Sequence, residues 1–404
     1  MSLEYQKLGD VADFIRGITY KPNDLVENFS EGSTVCMRTA NVQVQLKQDD
    51  LLSVPANLVK NEDKFLIEGD ILVSTANSWN LVGKCCWVPK LEYSATAGGF
   101  ISILRANQEK LDQRYLYHWF NSPNTQLLAR NCGRQTTNIS NMDLDRCLSI
   151  KIPLPPLAEQ RRIASILDQA DELRQKRQQA IEKLDQLLQA TFIDMFGDPV
   201  SNPKGWDKLT IEKMLNNEKY SLKRGPFGGA LKKEIFVESG YLVYEQYHAL
   251  NNDFSFQRYF IDEDKYKELK AFGVKPKDII VSCSGVNLGK LAEVPEGSPA
   301  GIINQALLKI SLNQSIILND VFIDIFMHPS FKKAFYGDFR GAAIPNFPPM
   351  SVFKEFEFIV PPLEIQKKYQ SVKSQVKALQ KNHQLADEMN LFSSLQNQAF
   401  NGTL

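Results

Sequence analysis

The chain carries one sequence pattern twice, and this repeat constrains its fold more than any other feature. Pro155-Pro156-Leu157 precedes Gln160-Arg161-Arg162, and 206 positions later Pro361-Pro362-Leu363 precedes Gln366-Lys367-Lys368. Each copy opens a long run that is rich in glutamine and charged residues. A chain of 404 residues also exceeds what one ordinary core holds. We therefore expect one unit written twice, each consisting of a globular domain and a long helix.

The repeat divides the chain into four predicted segments. The globular domains cover residues 1–152 and 200–359, and the helical segments cover residues 153–199 and 360–404. Pro155 precedes the first helix and Gly197 follows it, which is the usual placement of proline and glycine at helix ends. The same arrangement recurs at Pro361 and Gly402.

Both helical segments carry apolar residues at steps of three and four, the period of an amphipathic helix. The stripe runs from Ile163 to Met195 in the first segment and from Ile365 to Ala399 in the second. A helix of about 40 residues is roughly 60 Å long. Because each stripe needs a partner and each helix follows its own domain, we favour an antiparallel two-helix coiled coil. The two domains would lie at opposite ends, related by an approximate two-fold axis.

The repeat extends weakly into the globular parts, in the same order and nearly the same register. Residues 70–74 match residues 278–282, and Pro123 matches Pro329. Short alternating or apolar runs between turn residues predict strands at residues 70–74, 85–88, 100–104, 278–282 and 306–310. Amphipathic helices are predicted near the end of each domain, at residues 111–130 and 320–336. We expect each domain to be a mixed α/β (α+β) fold with a strand-rich core.

The loops between the paired strands are rich in groups that hydrogen-bond base edges or phosphates. Arginine recognises guanine, asparagine and glutamine recognise adenine, and basic side chains contact phosphates. Taken singly, each of these residues is better explained by an ordinary solvated turn. The candidate DNA contacts are Arg16, Lys21, Asn77, Trp79, Asn80, Lys84, Arg134, Gln135, Asn138, Lys223, Arg224, Lys232, Lys233, Ser284, Asn287, Lys290, Arg340 and Asn346.

Composition narrows the possible classes of protein but does not identify one. The 47 basic and 47 acidic side chains cancel, which argues weakly against a small free-standing nucleic-acid binder. A large chain can still concentrate basic residues on one face. No apolar run approaches the roughly 20 residues of a membrane span. The six cysteines show no CxxC spacing, so we expect reduced, buried thiols in a cytoplasmic protein.

Catalytic and metal-binding motifs are missing from the sequence. There is no phosphate-binding loop, no His-Glu-x-x-His, no Gly-x-Gly-x-x-Gly and no Asn-Pro-Pro-aromatic motif. The four histidines are scattered without acidic or cysteine residues at metal-ligand spacing. We predict no catalytic residue, no metal and no cofactor in this chain.

The arrangement resembles the specificity subunit of a Type I restriction-modification system. The residues that carry this resemblance most specifically are residues 153–163 and residues 398–404. The second copy departs from the first, with Ile365 in place of Glu159 and Tyr369 in place of Ile163. The resemblance implies that the globular domains are target recognition domains, each reading one half of a bipartite DNA sequence. The helices would be the conserved spacers that set the distance between the two halves.

The resemblance also implies partners. In this family, two modification subunits bind S-adenosylmethionine and methylate adenine, and up to two restriction subunits using ATP and Mg²⁺ join them. We expect no membrane partner for this chain. The extra apolar residues on the first helix, which widen its stripe, would then contact the modification subunits; they are Leu167, Ile181, Leu188 and Phe192.

Two other interpretations remain open at this point. One is a structural coiled-coil scaffold whose two heads bind proteins and have no DNA specificity. The other is an enzyme with an unrecognised nuclease site among its acidic turns.

Overall fold

The computed structural model describes residues 4–135, 139–227, 229–285, 287–337, 347–383 and 388–404. The chain forms two compact units. Unit 1 contains residues 4–179 together with residues 388–404, and unit 2 contains residues from 180 to 383. One long helix therefore contributes its first half to unit 1 and its second half to unit 2.

Unit 1 begins with a strand-rich domain. Its strands are β1 (Tyr5–Lys7), β2 (Ala12–Arg16), β3 (Ser33–Met37), β4 (Ser53–Pro55), β5 (Ile71–Ser74), β6 (Ala76–Asn77), β7 (Cys85–Trp87), β8 (Ala95–Ala97), β9 (Ile101–Ala106), β10 (Ser140–Asn141) and β11 (Lys151–Pro153). Its helices are α1 (Gln113–Phe120), α2 (Pro123–Asn131) and α3 (Leu144–Leu148), followed by the long helix α4 (Leu157–Phe196).

Two small sheets form the centre of this domain. An antiparallel sheet has the order β2-β9-β5-β7, and a second sheet has the order β4-β3-β8, in which β3 and β8 run parallel. All four residues of β5 are buried, as expected for a central strand covered on both faces. Strands β1 and β11 pair and bring the two ends of the domain together.

Unit 2 repeats the succession of elements. Its strands are β12 (Asp207–Thr210), β13 (Leu222–Arg224), β14 (Tyr241–Tyr244), β15 (Phe260–Ile261), β16 (Gly273–Val274), β17 (Ile279–Ser282), β18 (Leu291–Glu293), β19 (Gly301–Ile303), β20 (Leu307–Ile310) and β21 (Glu357–Val360). Its helices are α5 (Ile211–Met214), α6 (Gln246–Asn251), α7 (Glu263–Glu268), α8 (Asn319–Met327), α9 (Pro329–Tyr336), α10 (Met350–Glu355) and α11 (Leu363–His383), and the chain continues into α12 (Glu388–Asn401) of unit 1.

The sheets of unit 2 have the same order as those of unit 1, with one additional strand at the end of the second sheet. The antiparallel sheet is β13-β20-β17-β18, and the second sheet is β15-β14-β19-β16 with β14 and β19 parallel. Strands β12 and β21 close the domain as β1 and β11 do in unit 1. The prediction of one mixed α/β fold used twice, alternating with long helices, is confirmed.

Each predicted amphipathic helix near the end of a domain is in fact a pair of helices. Pro123 begins α2 directly after α1, and Pro329 begins α9 directly after α8. Proline lacks a backbone N–H and disfavours helical geometry at the residue before it, so it ends one helix and starts the next. The prediction of one continuous helix in each place was wrong for this reason.

The helices run antiparallel within each unit. In unit 1, Arg162 of α4 donates to the carbonyl of Leu404 at 3.1 Å, and Arg174, further along α4, lies over the ring of Phe392 in α12. In unit 2, Gln380 donates to Asp185 at 2.6 Å, while Tyr369, earlier in α11, packs on Phe196 near the end of α4. The proposed two-fold relation between the domains stays a prediction.

The cysteines behave as expected for reduced thiols. All six are buried and none forms a disulfide. Burial raises the pKa of the Cys36 and Cys283 thiols to about 12, which keeps both protonated and unreactive at neutral pH. Among the described residues, no helix combines the length and the apolar content needed to cross a membrane.

Candidate nucleic-acid interface

The predicted hairpin loops occupy equivalent places in the two units. In unit 1, the Ser74 amide donates to the Lys84 carbonyl at 2.8 Å and the Gly83 amide donates to Ser74 at 2.9 Å. In unit 2, Ser282 pairs with Lys290 at 2.8 Å and Gly289 with Ser282 at 2.9 Å. Gly83 and Gly289 both have positive φ, 85° and 75°, a conformation that favours glycine. The hairpin base is conserved within the chain, whereas the loops differ in their side chains and in length, the loop of unit 2 being two residues shorter.

The loop side chains of unit 1 are partly used to build the turn. Asn77 donates its side-chain amide to Ser74 Oγ at 3.1 Å and accepts the Ser78 amide at 2.8 Å. Trp79 is half-buried, whereas Asn80 is exposed. Lys84 donates its ammonium group to Gln43 Oε1 at 2.6 Å. Asn80 is therefore the asparagine of this loop whose side chain points to solvent.

A second loop of unit 1 joins this hairpin. Strands β6 and β10 pair so that Asn77 lies opposite Ser140, and Arg134 forms a β-bridge with Asn141. This pairing brings Arg134 and its neighbour Gln135, both exposed, to the Asn77 loop. Asn138 lies outside the described residues. Residues some 60 positions apart in the sequence thus form one surface, which the sequence did not predict.

The early basic residues of unit 1 lie on the strand β2 and the turn after it. Arg16 is the exposed last residue of β2, opposite Ser102 of β9. Lys21 is also exposed, and its backbone amide donates to Asp24 at 2.6 Å. Both cationic groups are free to reach a phosphate. Their part in DNA binding stays a prediction.

Sequence analysis missed Phe100, which belongs to the same edge of unit 1. Its side chain is 59% exposed, and its carbonyl accepts the amides of Thr75 at 3.0 Å and Ala76 at 3.2 Å. Phe100 is therefore fixed beside the segment that leads into Asn77. The sequence pattern placed Phe100 in the predicted strand 100–104, and such a pattern does not show which of its apolar residues is exposed.

In unit 2 the structure collects residues around the end of β17. Lys223 and Arg224 lie on β13, and Ser284 follows β17. Gln246, which the sequence did not single out, donates to Ser282 Oγ at 3.0 Å and to the Ser284 carbonyl at 2.9 Å. These bonds tie the start of α6 to the loop after β17. Asn287 is half-buried and Lys290 is exposed in the same hairpin loop.

Aromatic rings accompany the basic residues of β13. The Lys223 ammonium lies 5.4 Å from the centre of the Tyr220 ring, and the Arg224 guanidinium lies 5.4 Å from that of Phe227. Nε of Arg224 is buried and has no hydrogen-bond partner among the residues that the structure describes. Lys232 and Lys233 are exposed a few residues further on. Lys223 and Arg224, as consecutive strand residues, thus contact different rings. Arg340 and Asn346 lie outside the described residues.

Two of the four predicted partner contacts are corrected by the structure. Leu167 is 0% exposed and Phe192 is 3% exposed, because each packs into the core of its own unit. The extra apolar residues at these positions hold α4 to the chain's own domains, and neither surface is open to a partner. Ile181 and Leu188 remain half-exposed, and their contact with a partner stays a prediction.

The repeated glutamine joins each long helix to its domain. Gln160 Oε1 accepts the Asp112 amide at 2.8 Å, and its Nε2 donates to the carbonyls of Lys110 at 3.1 Å and Pro155 at 2.8 Å. All of these partners are backbone groups at the start of α1 or α4. The side chain is 1% exposed.

An ion pair lies next to this joint in each unit, partly exposed in unit 1 and more deeply buried in unit 2, with opposite polarity. In unit 1, Arg114 donates to Asp168 at 3.0 Å and His118 contacts the same carboxylate at 2.7 Å. In unit 2, Lys373 contacts Asp324 at 2.6 Å and Asp320 at 3.3 Å. Burial opposes ionisation of Asp168, but the bonds from His118 and Arg114 outweigh it and lower its pKa to about 2. The domain supplies the cation Arg114 in unit 1 and the anions Asp320 and Asp324 in unit 2.

Tyr369, where the second copy departs from the first, belongs to this second network. Its hydroxyl donates to Asp324 at 2.6 Å, and its ring packs on Phe192 and Phe196. Burial and the neighbouring Asp324 carboxylate raise the pKa of Tyr369. Within the described ranges, no group of three or more His, Cys, Asp or Glu side chains could hold a metal ion.

The sheets, the joints and the antiparallel helices together define a class: a duplicated α/β domain in which each copy is joined to a long helix. Residues 2–183 match the family model of the Type I restriction modification DNA specificity domain. The resemblance to specificity subunits of Type I restriction-modification systems is thereby confirmed.

Curated relatives are similar over part of the chain. The Type I restriction enzyme EcoKI specificity subunit of Escherichia coli (strain K12) is 30% identical over 161 residues, 39% of this chain and 34% of that protein. The StySPI specificity subunit of Salmonella potsdam gives the same values. The putative MjaX specificity subunit of Methanocaldococcus jannaschii is 27% identical over 234 residues, 54% of this chain and 52% of that protein. The chain thus spans about a third to a half of these relatives.

Solved structures share the fold over the whole chain. The S subunit of the Type I restriction-modification system from M. genitalium has a TM-score of 0.60 at 16% identity, covering 99% of this chain and 96% of that one. A chain from work on complex assembly and conformational transition of the type I R-M system has a TM-score of 0.56 at 16% identity, covering 100% of both chains.

Proposed function

We propose that this protein is the sequence-specific DNA-binding subunit of a Type I restriction-modification complex. The two target recognition domains, residues 1–152 and 200–359, each read one half of a bipartite DNA sequence. The helical segments, residues 153–199 and 360–404, set the number of base pairs between the halves.

One observation carries the proposal: the same hairpin base stands in both units with different loop side chains. Asn77, Trp79 and Asn80 occupy the loop of unit 1, whereas Ser284 and Asn287 occupy that of unit 2. Base-edge contacts specify sequence, and phosphate contacts position the protein. A scaffold repeated with rewritten loops suits two similar docking modes on two different half-sites. The match of residues 2–183 to a DNA specificity domain supports the same conclusion.

Catalysis is proposed to belong to partner subunits. Two modification subunits would bring S-adenosylmethionine and methylate adenine, and up to two restriction subunits would use ATP and Mg²⁺. This chain would hold the duplex while a modification subunit turns the target base out of the stack, since a base inside a duplex is inaccessible to chemistry. Ile181 and Leu188 are the proposed contacts to the modification subunits. The complex is proposed to act in the cytoplasm.

The test begins with the host's own DNA. Mapping methylated adenines in the genome gives the candidate bipartite sequence, and a gel shift then compares that duplex with versions scrambled in one half or the other. We expect the complex with its modification subunit to bind the intact sequence and to lose binding when either half is scrambled. Equal binding to every duplex would contradict the proposal and favour a protein-binding scaffold. Cleavage by the purified chain with metal alone would favour the nuclease alternative.

A further inference from the structure

Two exposed phenylalanines lie at the edges that carry the candidate DNA loops. Phe100 in unit 1 is 59% exposed, and Phe227 in unit 2 is 68% exposed. A single exposed apolar residue is common on proteins, so exposure alone decides nothing. The placement of these two rings is what distinguishes them.

Phe100 is held by the loop it adjoins. It follows Gly98 and Gly99, and its carbonyl accepts two amides from the segment Thr75-Ala76. Asn77 comes next in that segment. The position of the ring is therefore fixed by backbone bonds at the root of the hairpin loop, while the ring itself projects into solvent.

Phe227 is held at the corresponding edge of unit 2. The amide of Gly225 donates to the Leu307 carbonyl at 2.9 Å. A Cβ atom at Gly225 would lie 1.8 Å from the Asn304 carbonyl oxygen, so only glycine lets the chain leave β13 along this path. Phe227 follows two residues later, with Arg224 beside its ring.

The two rings come from different loops at equivalent edges. Ala306 occupies in unit 2 the place of Phe100, and its carbonyl accepts the Cys283 amide at 2.8 Å as that of Phe100 accepts the Thr75 amide. Gly17, the counterpart of Gly225, likewise passes close to a carbonyl, with a built Cβ 2.2 Å from the Gly98 oxygen. Each unit thus presents a ring at this edge although neither loop is shared.

The surroundings of the rings fit a nucleic acid. Arg224 supplies positive charge at the Phe227 ring, and Lys232 and Lys233 are exposed five and six residues further along the chain, followed by the acidic Glu234. A flat apolar ring among cations matches a nucleobase face next to phosphates, and aromatic residues stack on bases of any sequence. Apolar side chains also enter base steps as wedges and open them.

We propose that Phe100 and Phe227 each insert into a base step of their half-site and stack on an exposed base. This inference rests on the proposed DNA binding and adds to it the residues that distort the duplex. An opened step lowers the cost of moving a neighbouring base out of the stack, which the proposed methylation requires. The rings are positioning residues, because the chemistry takes place in a partner subunit.

The test uses the full chain in complex with its modification subunit and target duplexes that carry 2-aminopurine at successive positions of each half-site. We expect the fluorescence of one position per half-site to rise on binding. Phe100→Ala should abolish the rise in the first half-site, Phe227→Ala that in the second, and each should weaken affinity about tenfold. Phe100→Tyr and Phe227→Tyr should retain both properties.

Phe29→Ala is the matched control. Phe29 is 61% exposed and packs on Tyr93. It lies before the start of β3, whereas Phe100 lies near the opposite end of that strand, where the amide of Gly98 donates to the carbonyl of Met37. The substitution Phe29→Ala should leave the 2-aminopurine fluorescence and the affinity for the duplex unchanged. If Phe100→Ala and Phe227→Ala keep the fluorescence rise while binding stays sequence-specific, the wedge proposal is wrong and DNA recognition stands. If the wild-type complex binds without sequence preference, the proposed function fails, and the wedge with it.

Discussion

Gln160 and Gln366 make the same three hydrogen bonds 206 positions apart. Gln366 Oε1 accepts the Leu318 amide at 2.8 Å, and its Nε2 donates to the carbonyls of Ile316 at 3.0 Å and Pro361 at 2.7 Å. Each partner is the counterpart of a partner of Gln160. The repeated glutamine therefore fastens each long helix to its domain by contacts with the backbone alone.

Removing this glutamine should loosen one unit at a time. Gln160→Leu leaves buried backbone groups at the start of α1 without partners, at a cost of about 1–3 kcal/mol for each group. Gln366→Leu should do the same in unit 2. Urea unfolding followed by unit-specific tryptophan or hydrogen-exchange signals would measure both effects. Gln169→Ala, on the exposed face of α4, is the control and should change the free energy of unfolding by less than about 0.5 kcal/mol.

The two ion pairs should differ in strength because they differ in burial. The Lys373 side chain is 4% exposed, so Lys373→Met removes the cation shared by two carboxylates and should cost about 3 kcal/mol or more. Asp320 keeps the more distant Lys377 at 3.8 Å, and Asp324 keeps the hydroxyl of Tyr369 at 2.6 Å. The Asp168 side chain is 37% exposed and partly screened, so Asp168→Asn should cost about 1 kcal/mol. Urea unfolding at low and high salt would compare them. A larger loss of unfolding free energy for Asp168→Asn than for Lys373→Met would show that burial does not set the strength of these two ion pairs.

Acid should weaken unit 1 through Asp168. Its pKa is about 2 in the folded chain, below the ordinary value of 3.8. A carboxyl whose folded pKa is depressed contributes stability above its unfolded pKa and loses it as pH falls through the folded pKa. We therefore expect the loss between about pH 4 and pH 2. Urea unfolding across this range should show a shallower decline for Asp168→Asn; an identical decline would mean that Asp168 has no such role.

Loop substitutions should separate the two proposed half-sites. Arg134→Ala or Lys84→Ala should weaken binding to duplexes matched in the first half-site, by about 1–3 kcal/mol for a base contact, and should spare the second. Lys290→Ala should have the reverse preference. Lys90→Ala, at the far end of strand β7 from the loop, is the control. Binding titrations against half-scrambled duplexes measure the difference, and equal losses in both halves would contradict the assignment.

Helix length should set the spacing between the half-sites. Adding one turn within residues 169–188 lengthens α4 by about 6 Å. At 3.4 Å per base pair, the preferred spacer should grow by about two base pairs while both half-site sequences stay the same. Methylation mapping in cells carrying the variant would read both quantities. A change in the half-sites instead would rule out the helices as a ruler.

The sequence predicted those features that have a long period or a repeat. The helical stripes, the duplication and the strands 70–74 and 278–282 all follow from patterns that persist over many residues or recur. Strands such as β3 and β14 were not predicted, because their parallel partners β8 and β19 lie about 60 residues away and no local signal marks such a pairing. The split at Pro123 was predictable from the proline, but the amphipathic pattern continues across it.

The candidate site was predictable only as a set of loops. The apolar stripe of α4 indicated correctly that Leu167 and Phe192 are buried, but periodicity does not say against which surface, and the chain's own domains cover both. The orientation of Asn77 depends on its bond to Ser74 Oγ, which exists only once the hairpin is formed. Phe100 and Gln246 owe their places to backbone geometry that no residue pattern encodes.

The opposite polarity of the two ion pairs has a consequence for the exchange of parts between such chains. Gln160 and Gln366 bind only backbone groups, so either glutamine can hold any domain that presents the same backbone geometry. These contacts would therefore permit the exchange of domains between chains. The ion pairs would not, since a domain bearing Arg114 would place this guanidinium next to Lys373 of the other long helix and be repelled by it. A globular domain transplanted from one unit should therefore pack correctly on only one of the two long helices. The two units stay chemically distinct at this contact, however far their loop sequences diverge.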